Sequence, residues 1–446
     1  MSQFTRIASS FVAVSVLTEP ITFRNGKKAG NRIMKAPLTE KLFDWSEHSI
    51  AKRGIPSQSI QNLYTKWGHG GFGLIVTGSF VVDPKYVSEA GQGIICQENT
   101  NANSEKKLGA LARALKSDGA LAIAQLSHPG AKALRDYTDS DNVKHELNDN
   151  VEDPATFSKD RIQDDVVSRF AYSALVLHKN GFDGVELLAA HGNIFNQFLA
   201  PKTSRTDAYG GSFENRARLL FDTVNAIRRV VPEDSGFLVG VKLNSRDFQD
   251  FEESKKEVIR LCELIEAAGV DFVEITGGMM EMTMTQLNMR VSTAARENYF
   301  ADFVKETSRI FKNTAVYITG GWQTAGSMVS SVEMGLAKGI GLARWSASEP
   351  DFPKKLLAGE ISSCPNNQFP PFDFWYQKNA ALWQMRSLSE TEYDETKGPS
   401  HGVTNFTVKE ECENFKKTCD DFKTKADAMG GINNHMGVLD YEPLES

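Results

Sequence analysis

Two glycine-rich stretches, TGGWQT (319–324) and GIGLAR (339–344), each close a short apolar run. Small residues leave backbone N–H groups open to an approaching anion, and Arg344 adds a fixed positive charge, so together they read as a phosphate site. Glycines alone would serve a tight turn equally well; the arginine is what tips the reading. Gln125 lies inside the apolar run LAIAQL and Lys242 inside LVGVKLN. A buried amide needs hydrogen-bond partners, and a buried ammonium needs an anion or a polar cavity. Thr39, Thr77, Ser79 and Asn244 end other runs, and His191 follows Val185–Ala189 in AAHGN. Taken singly, each reads as a satisfied core or turn residue; converging on one face, they suit a bound polar ring system. No Ser or Cys stands beside His191 in a nucleophile elbow, so acyl transfer has no support. No carboxylate pair marks a glycosidase either.

Short runs rich in Val, Ile and Leu must position these residues. They fall at Arg32–Leu38, Gly73–Val82, Leu121–Leu126, Gly184–Ala189, Phe237–Leu243, Asp271–Thr276, Ala315–Gly320 and Gly339–Ala343. Stretches of helical period separate them. One is Lys159–Asn180, with Ile162, Val166, Phe170, Ala174 and Leu177 on one face; another starts after Ser212, an expected N-cap. Eight strands each followed by a helix predict the α/β class, a (β/α)8 TIM barrel over residues 1–364, whose chemistry belongs at the strand C-termini. The rival, an open doubly wound sheet, lacks a GxGxxG after its first strand. The third loop, about Ser127 to Ser158, is long enough to cover a site. From about Pro365 the pattern changes to an aromatic stretch and a charged helix at 408–428, so 365–446 reads as a C-terminal, partly helical extension.

Composition sets the partner classes. The 446 residues carry 50 Lys and Arg against 57 Asp and Glu, a net charge of −7 without a basic block, which gives nucleic acid no electrostatic footprint. No apolar run is long enough to cross a bilayer, and the uncharged stretch Ile7–Thr18 runs straight into the first layer of the fold, so a cytoplasmic protein is expected. Five scattered cysteines offer no CxxC and the histidines no zinc spacing, predicting reduced thiols and no metal site.

NRIMKAPLTE (31–40), GGFGLIVTG (70–78), QLSHPG (125–130), FDGVELLAAHGNIFNQFLAPKTSRTDAYGGSFENR (182–216), TGGW (319–322) and IGLAR (340–344) closely resemble the old yellow enzymes, FMN-dependent NAD(P)H oxidoreductases of the ene-reductase type. The resemblance spans about residues 15 to 362. It implies an FMN-binding barrel in which Pro37, Leu38 and Thr39 touch the isoalloxazine, and the Ser79 backbone meets its carbonyl edge. Gln125 then pairs with the pyrimidine edge, and Lys242, where many relatives carry Arg, lies near N1 and O2. Gly320, Gly321, Trp322, Ala343 and Arg344 hold the phosphate. NADPH or NADH is the implied reductant.

The substrate end departs from the family pattern. Relatives have a His followed three residues later by His or Asn, both donating to the substrate carbonyl, and then a Tyr proton donor. Here these positions are Leu188, His191 and Asn193. Leu cannot polarise a carbonyl and Asn cannot act as a proton-donating acid. The expected activity is ping-pong transfer from NAD(P)H to a small-molecule electron acceptor, an alkene conjugated to a carbonyl, oriented by His191, with Leu188 and Asn193 lining the substrate side. The alternative is a flavin-binding pseudoenzyme or partner-binding protein using the tail. A dihydroorotate dehydrogenase-type barrel lacks its Cys or Ser base. Oligomeric state stays open, a homodimer included.

Overall fold

The computed structural model describes residues 4–46, 48–133, 153–201, 205–244, 252–276, 307, 309–370, 373–428 and 437–444. Eight strands form the barrel: β1 Ile33–Lys35, β2 Leu74–Val76, β3 Leu121–Ser127, β4 Gly184–Ala189, β5 Leu238–Asn244, β6 Phe272–Thr276, β7 Ala315–Thr319 and β8 Gly339–Leu342. Every neighbouring pair is parallel. The ring closes where β2 meets β3 at Leu74↔Leu121 and β8 meets β1 at Ile340↔Ile33. Closure disposes of the open-sheet rival, because no strand of the eight is left with a bare edge.

The strands are β-branched and apolar on both faces, as a sheet covered inside and out requires. Met34, Ala36, Leu74, Val76, Leu121, Ile123, Leu238, Phe272, Ala315 and Tyr317 fill the lower barrel. Ile21, Phe23 and Ala29, from a short hairpin pairing Ile21–Thr22 with Lys28–Ala29, plug its floor. Among the described residues, and the Tyr317 hydroxyl aside, polar inward side chains lie above this layer, toward the strand C-termini.

The outer layer includes α1 (Gln58–Gly68), α2 (Ala102–Leu115), α3 (Ser168–Lys179), α4 (Phe213–Val230), α5 (Glu252–Ala267) and α6 (Ala325–Glu333). Ser212 caps α4 as expected, accepting from the Asn215 N–H at 3.4 Å. The predicted helix over 159–180 is continuous but passes through a wide π turn at Ile162–Val167 before α3. The run read at Gly73–Val82 divides: β2 stops at Val76, and Phe80–Val81 pairs separately with Gly93–Ile94 and with the end of β3. The centre of the long third loop, 134–152, lies outside the described residues.

The extension contributes α7 (Phe374–Ser389) and α8 (Lys409–Ala428), which build a small core of their own around Phe369, Trp383, Phe406, Phe415 and Tyr441. It is docked on the barrel by buried polar contacts. Lys66 Nζ on α1 donates to the Leu388 carbonyl at 2.7 Å, and Ser348 Oγ donates to Gln384 at 3.0 Å. All five cysteines are buried free thiols. No helix among the described residues is long and apolar enough to cross a membrane.

Candidate active site

Side chains alternate along a strand, so Gln125 on β3, Glu186 on β4, Lys242 on β5 and Glu274 on β6 share the inner face above the apolar floor. Strand register sets Gln125 opposite Glu186 and Lys242 opposite Glu274. Gln125 Nε2 donates to Glu186 Oε1 at 2.7 Å, and Lys242 Nζ donates to Glu274 Oε1 at 2.8 Å. Both carboxyls are fully buried. The anion that the sequence demanded for Lys242 is thus supplied from within the barrel. Sequence reasoning passed over Glu186 and Glu274; the signal was a lone acid in each of the apolar runs GVELLA and FVEIT, the same oddity that marked Gln125.

Thr39 and Ser79 stand on the segments after β1 and β2, and one carboxylate ties the two together. Glu40 Oε1 accepts the Gly78 N–H at 3.0 Å and the Tyr64 hydroxyl of α1. Lys35 Nζ lies 3.8 Å from the same oxygen and 4.1 Å above the Trp67 ring. Burial lowers Lys35 to about 8, with Glu40 the main influence holding it up. Gly78 is needed for this closeness: a Cβ there would lie 2.1 Å from Glu40 Oε2 and 2.3 Å from the Leu38 carbonyl oxygen. Ser79 is fixed by Gln92, whose Nε2 donates to its hydroxyl at 2.7 Å. Pro37, Leu38 and Thr39 remain half-buried at the opening.

His191 follows β4 after one residue and holds a left-handed backbone, φ 58°; among the described residues Lys41 is the one other non-glycine in that region. Such backbone costs about 1–3 kcal/mol and persists where surrounding contacts impose it. Here Gly192 N–H donates to Asn196 Oδ1 at 2.8 Å, Gln197 Nε2 donates to the Gly192 carbonyl at 2.7 Å, and Lys132 Nζ donates to the His191 carbonyl at 2.9 Å. Asn193 turns its amide back on the Ala190 carbonyl at 3.1 Å. Leu188 stands two residues above Glu186, in register with Lys242. The other histidine nearby, His128, is sealed in: burial, and next the charge of Arg169, push it down to about 3, and its Nδ1 accepts the Gly130 N–H at 3.0 Å. The imidazole is neutral, and its Nε2 is buried without a hydrogen-bond partner among the described residues.

At β7 and β8, Gly320 and Gly321 have φ of 111° and 82°, backbone that glycine adopts readily and that leaves the chain open to close approach by a ligand. The Thr319 hydroxyl beside them is buried without a hydrogen bond among the described residues. Trp322 packs inward with its indole donating to the Ile318 carbonyl at 2.8 Å, and its own carbonyl accepts from the Trp345 indole at 2.7 Å, so its backbone N–H is what it can offer an anion. Ala343 precedes a short helix, Arg344–Ser348, and has no side chain to cap it. The Arg344 guanidinium is solvent-exposed and donates to Gln377 of α7. The extension therefore reaches the very residue expected to bind phosphate.

These groups fit FMN. Gln125, with one N–H spent on Glu186, keeps its carbonyl oxygen for the N–H of a pyrimidine edge, and Lys242 supplies the adjoining positive charge. The glycine pair and Arg344 suit a phosphate. Comparison with known proteins agrees. The model of the NADH:flavin oxidoreductase / NADH oxidase family matches residues 16–361. The NADH-dependent flavin oxidoreductase nadA of Aspergillus parasiticus is 32% identical over 393 residues, covering 85% of this chain and 87% of that protein. The NADH-dependent flavin oxidoreductase iliE of Hypocrea jecorina is 31% identical over 397 residues, 83% of this chain and 95% of its own length. Among solved structures, morphinone reductase in complex with tetrahydroNAD shares the fold with a TM-score of 0.61 at 21% identity, covering 78% of this chain and 92% of that one. An old yellow enzyme homologue from Zymomonas mobilis does so with a TM-score of 0.60 at 18% identity, over 78% and 94%. Nothing in these relationships supports the pseudoenzyme alternative. The chain belongs to the NADH:flavin oxidoreductase / NADH oxidase family, the old yellow enzymes, and is an FMN-dependent oxidoreductase that draws its electrons from NAD(P)H.

Proposed function

We propose that the protein reduces the C=C bond of a small α,β-unsaturated carbonyl compound, with His191 orienting the acceptor. FMN, when bound, would supply the hydride-transfer chemistry that links NAD(P)H to the acceptor. The chain's own residues do the rest. Pro37, Leu38, Thr39 and Ser79 form the rim against which the ring is held. Gln125 and Lys242 meet its pyrimidine edge, and the positive charge there favours extra electron density on the ring. Gly320, Gly321, Trp322, Ala343 and Arg344 anchor the phosphate.

The observation that carries the reading is the His191 backbone, held in a strained conformation by Gln197, Asn196 and Lys132 at the end of β4. Strain maintained this firmly at a strand's C-terminal end marks a side chain whose aim matters. One imidazole donating to the carbonyl oxygen polarises the alkene for hydride addition at its β-carbon. Leu188 contributes an apolar wall in place of a second donor, and Asn193 has committed its amide to Ala190, so solvent supplies the α-carbon's proton. His191→Ala should lower kcat/KM for an enone about 10²–10³-fold, the effect of removing one oxyanion donor. FMN content and the rate of flavin reduction by NADH should stay near wild type. An unchanged enone rate would remove His191 from the mechanism.

A further inference from the structure

Beneath the site two acids face one base. Glu186 and Glu274 stand on β4 and β6 with Lys242 on β5 between them, and both carboxyls are wholly removed from solvent. Each spends one oxygen: Glu186 Oε1 on Gln125 at 2.7 Å, Glu274 Oε1 on Lys242 at 2.8 Å. Each second oxygen, Oε2, has no donor among the described residues. Two ionised carboxylates so placed would repel in a dry cavity and leave two acceptors unsatisfied, each an uncompensated desolvation cost. One proton between them removes both defects, turning the two orphans into a donor and an acceptor.

The neighbouring groups supply no other solution. Lys242 is one positive charge against two acids. Lys35 feels both Lys242 and Glu274, but its ammonium lies on the other side of β1 beside Glu40. Tyr317 of β7 is buried with its hydroxyl unbonded, in the layer that fills the barrel floor. Arg and His are absent from the inward faces of the described strands. Burial first, and then the adjacent Glu274, raise Glu186 well above the usual carboxylate range; Lys242 opposes this less strongly.

We propose that Glu186 and Glu274 hold one proton between them and act as a positioning pair, aiming the Gln125 amide and the Lys242 ammonium at the flavin's pyrimidine edge. The second half rests on the assignment of Gln125 and Lys242 to the flavin made above. With the proton in place the cluster is one ammonium, one carboxylate and one neutral acid, without net charge. Lys242 then stays protonated and fixed, and Gln125 is held with its N–H toward Glu186 and its carbonyl free.

Infrared spectroscopy of the full-length protein at pH 8, in H2O and in D2O, with and without FMN, tests the shared proton. The carbonyl stretch of a protonated carboxylic acid should be present in wild type in both forms. It should be lost in Glu186→Gln, an isosteric change that keeps the Gln125 contact. It should be lost also in Glu274→Gln, where Glu186 ionises to serve Lys242. A wild type without the band, or a band surviving in both variants, overturns the pair. The midpoint potential of bound FMN tests the positioning. Either single variant keeps the cluster's net charge and should leave the potential unmoved, whereas the double variant leaves Lys242 unopposed and should raise it. Glu186→Gln alone raising the potential as far as the double variant would mean that both carboxyls were ionised. A double variant with the wild-type potential would detach Lys242 from the flavin while the band still reports the proton, so the two failures are distinguishable.

Discussion

Glu40→Gln should destabilise the protein by an amount that falls as pH rises, because the charge it removes supports a lysine that titrates near neutrality. Glu40 accepts from Gly78 at 3.0 Å and from Tyr64, and faces Lys35 at 3.8 Å, all in the buried layer between β1, β2 and α1. Glutamine keeps an acceptor for Gly78 but no charge for Lys35. Burial holds Lys35 at about 8, below its ordinary 10.5, and Glu40 is the largest influence in the opposite direction. Relative to the unfolded chain, the Lys35 proton disfavours folding fully below about pH 8, and that penalty fades as pH rises from there to 10.5. Relative to the glutamine variant it favours the wild type: the Glu40–Lys35 attraction is present below about pH 8 and lost as pH rises through it. Without Glu40 the lysine gives up its proton at pH 7, which costs about 1.4 kcal/mol for a group one pH unit above ambient, and almost nothing at pH 9. A weakened hydrogen bond to Tyr64 adds about 1 kcal/mol at both pH values. The variant should therefore be less stable by about 2–2.5 kcal/mol at pH 7 and about 1 kcal/mol at pH 9. Urea unfolding of both proteins at the two pH values measures this, and the difference between them cancels every other titrating group they share, the buried thiols included. A penalty equal at both pH values, or larger at pH 9, would refute the coupling.

Two further outcomes follow from the same geometry. Gly78→Ala places a methyl group within 2.1 Å of Glu40 Oε2 and 2.3 Å of the Leu38 carbonyl, so the segment carrying Thr39 must move. The change should cost about 1–3 kcal/mol in urea unfolding and weaken FMN binding in a fluorescence titration; wild-type values for both would show that the β1 and β2 ends are not locked together. Restoring the family pattern with Leu188→His and Asn193→Tyr gives up the Asn193 amide bond to Ala190 and the burial of the Leu188 side chain, and should raise turnover of simple enones. No gain in steady-state assays would mean that the long third loop or the extension has reshaped the acceptor pocket.

The barrel was legible because its strands are apolar runs bounded by turn residues, and that pattern depends only on local sequence. The division of Gly73–Val82 was not, since the strand ends where Gly78 meets Glu40, a contact between segments 38 residues apart. Site residues were found where a polar side chain interrupts an apolar run, as with Gln125 and Lys242. Their partners escaped notice because Glu186 and Glu274 come from strands 61 and 32 residues further along, and sequence shows an odd residue without showing what answers it. The contact of Gln377 with Arg344 had no local signal at all. A charged, weakly amphipathic tail looks the same whether it floats or docks.

The central claim, an FMN oxidoreductase acting on an activated alkene, is tested most directly by an anaerobic visible spectrum of the purified protein titrated with NADH or NADPH and then with cyclohexenone. The flavin band should bleach with the reduced nicotinamide and return on adding the enone. A protein that stays colourless after added FMN would contradict the cofactor site built from Gln125, Lys242 and the Gly320–Gly321 turn. Bleaching that only oxygen or a quinone reverses would keep the reductase and contradict the alkene acceptor.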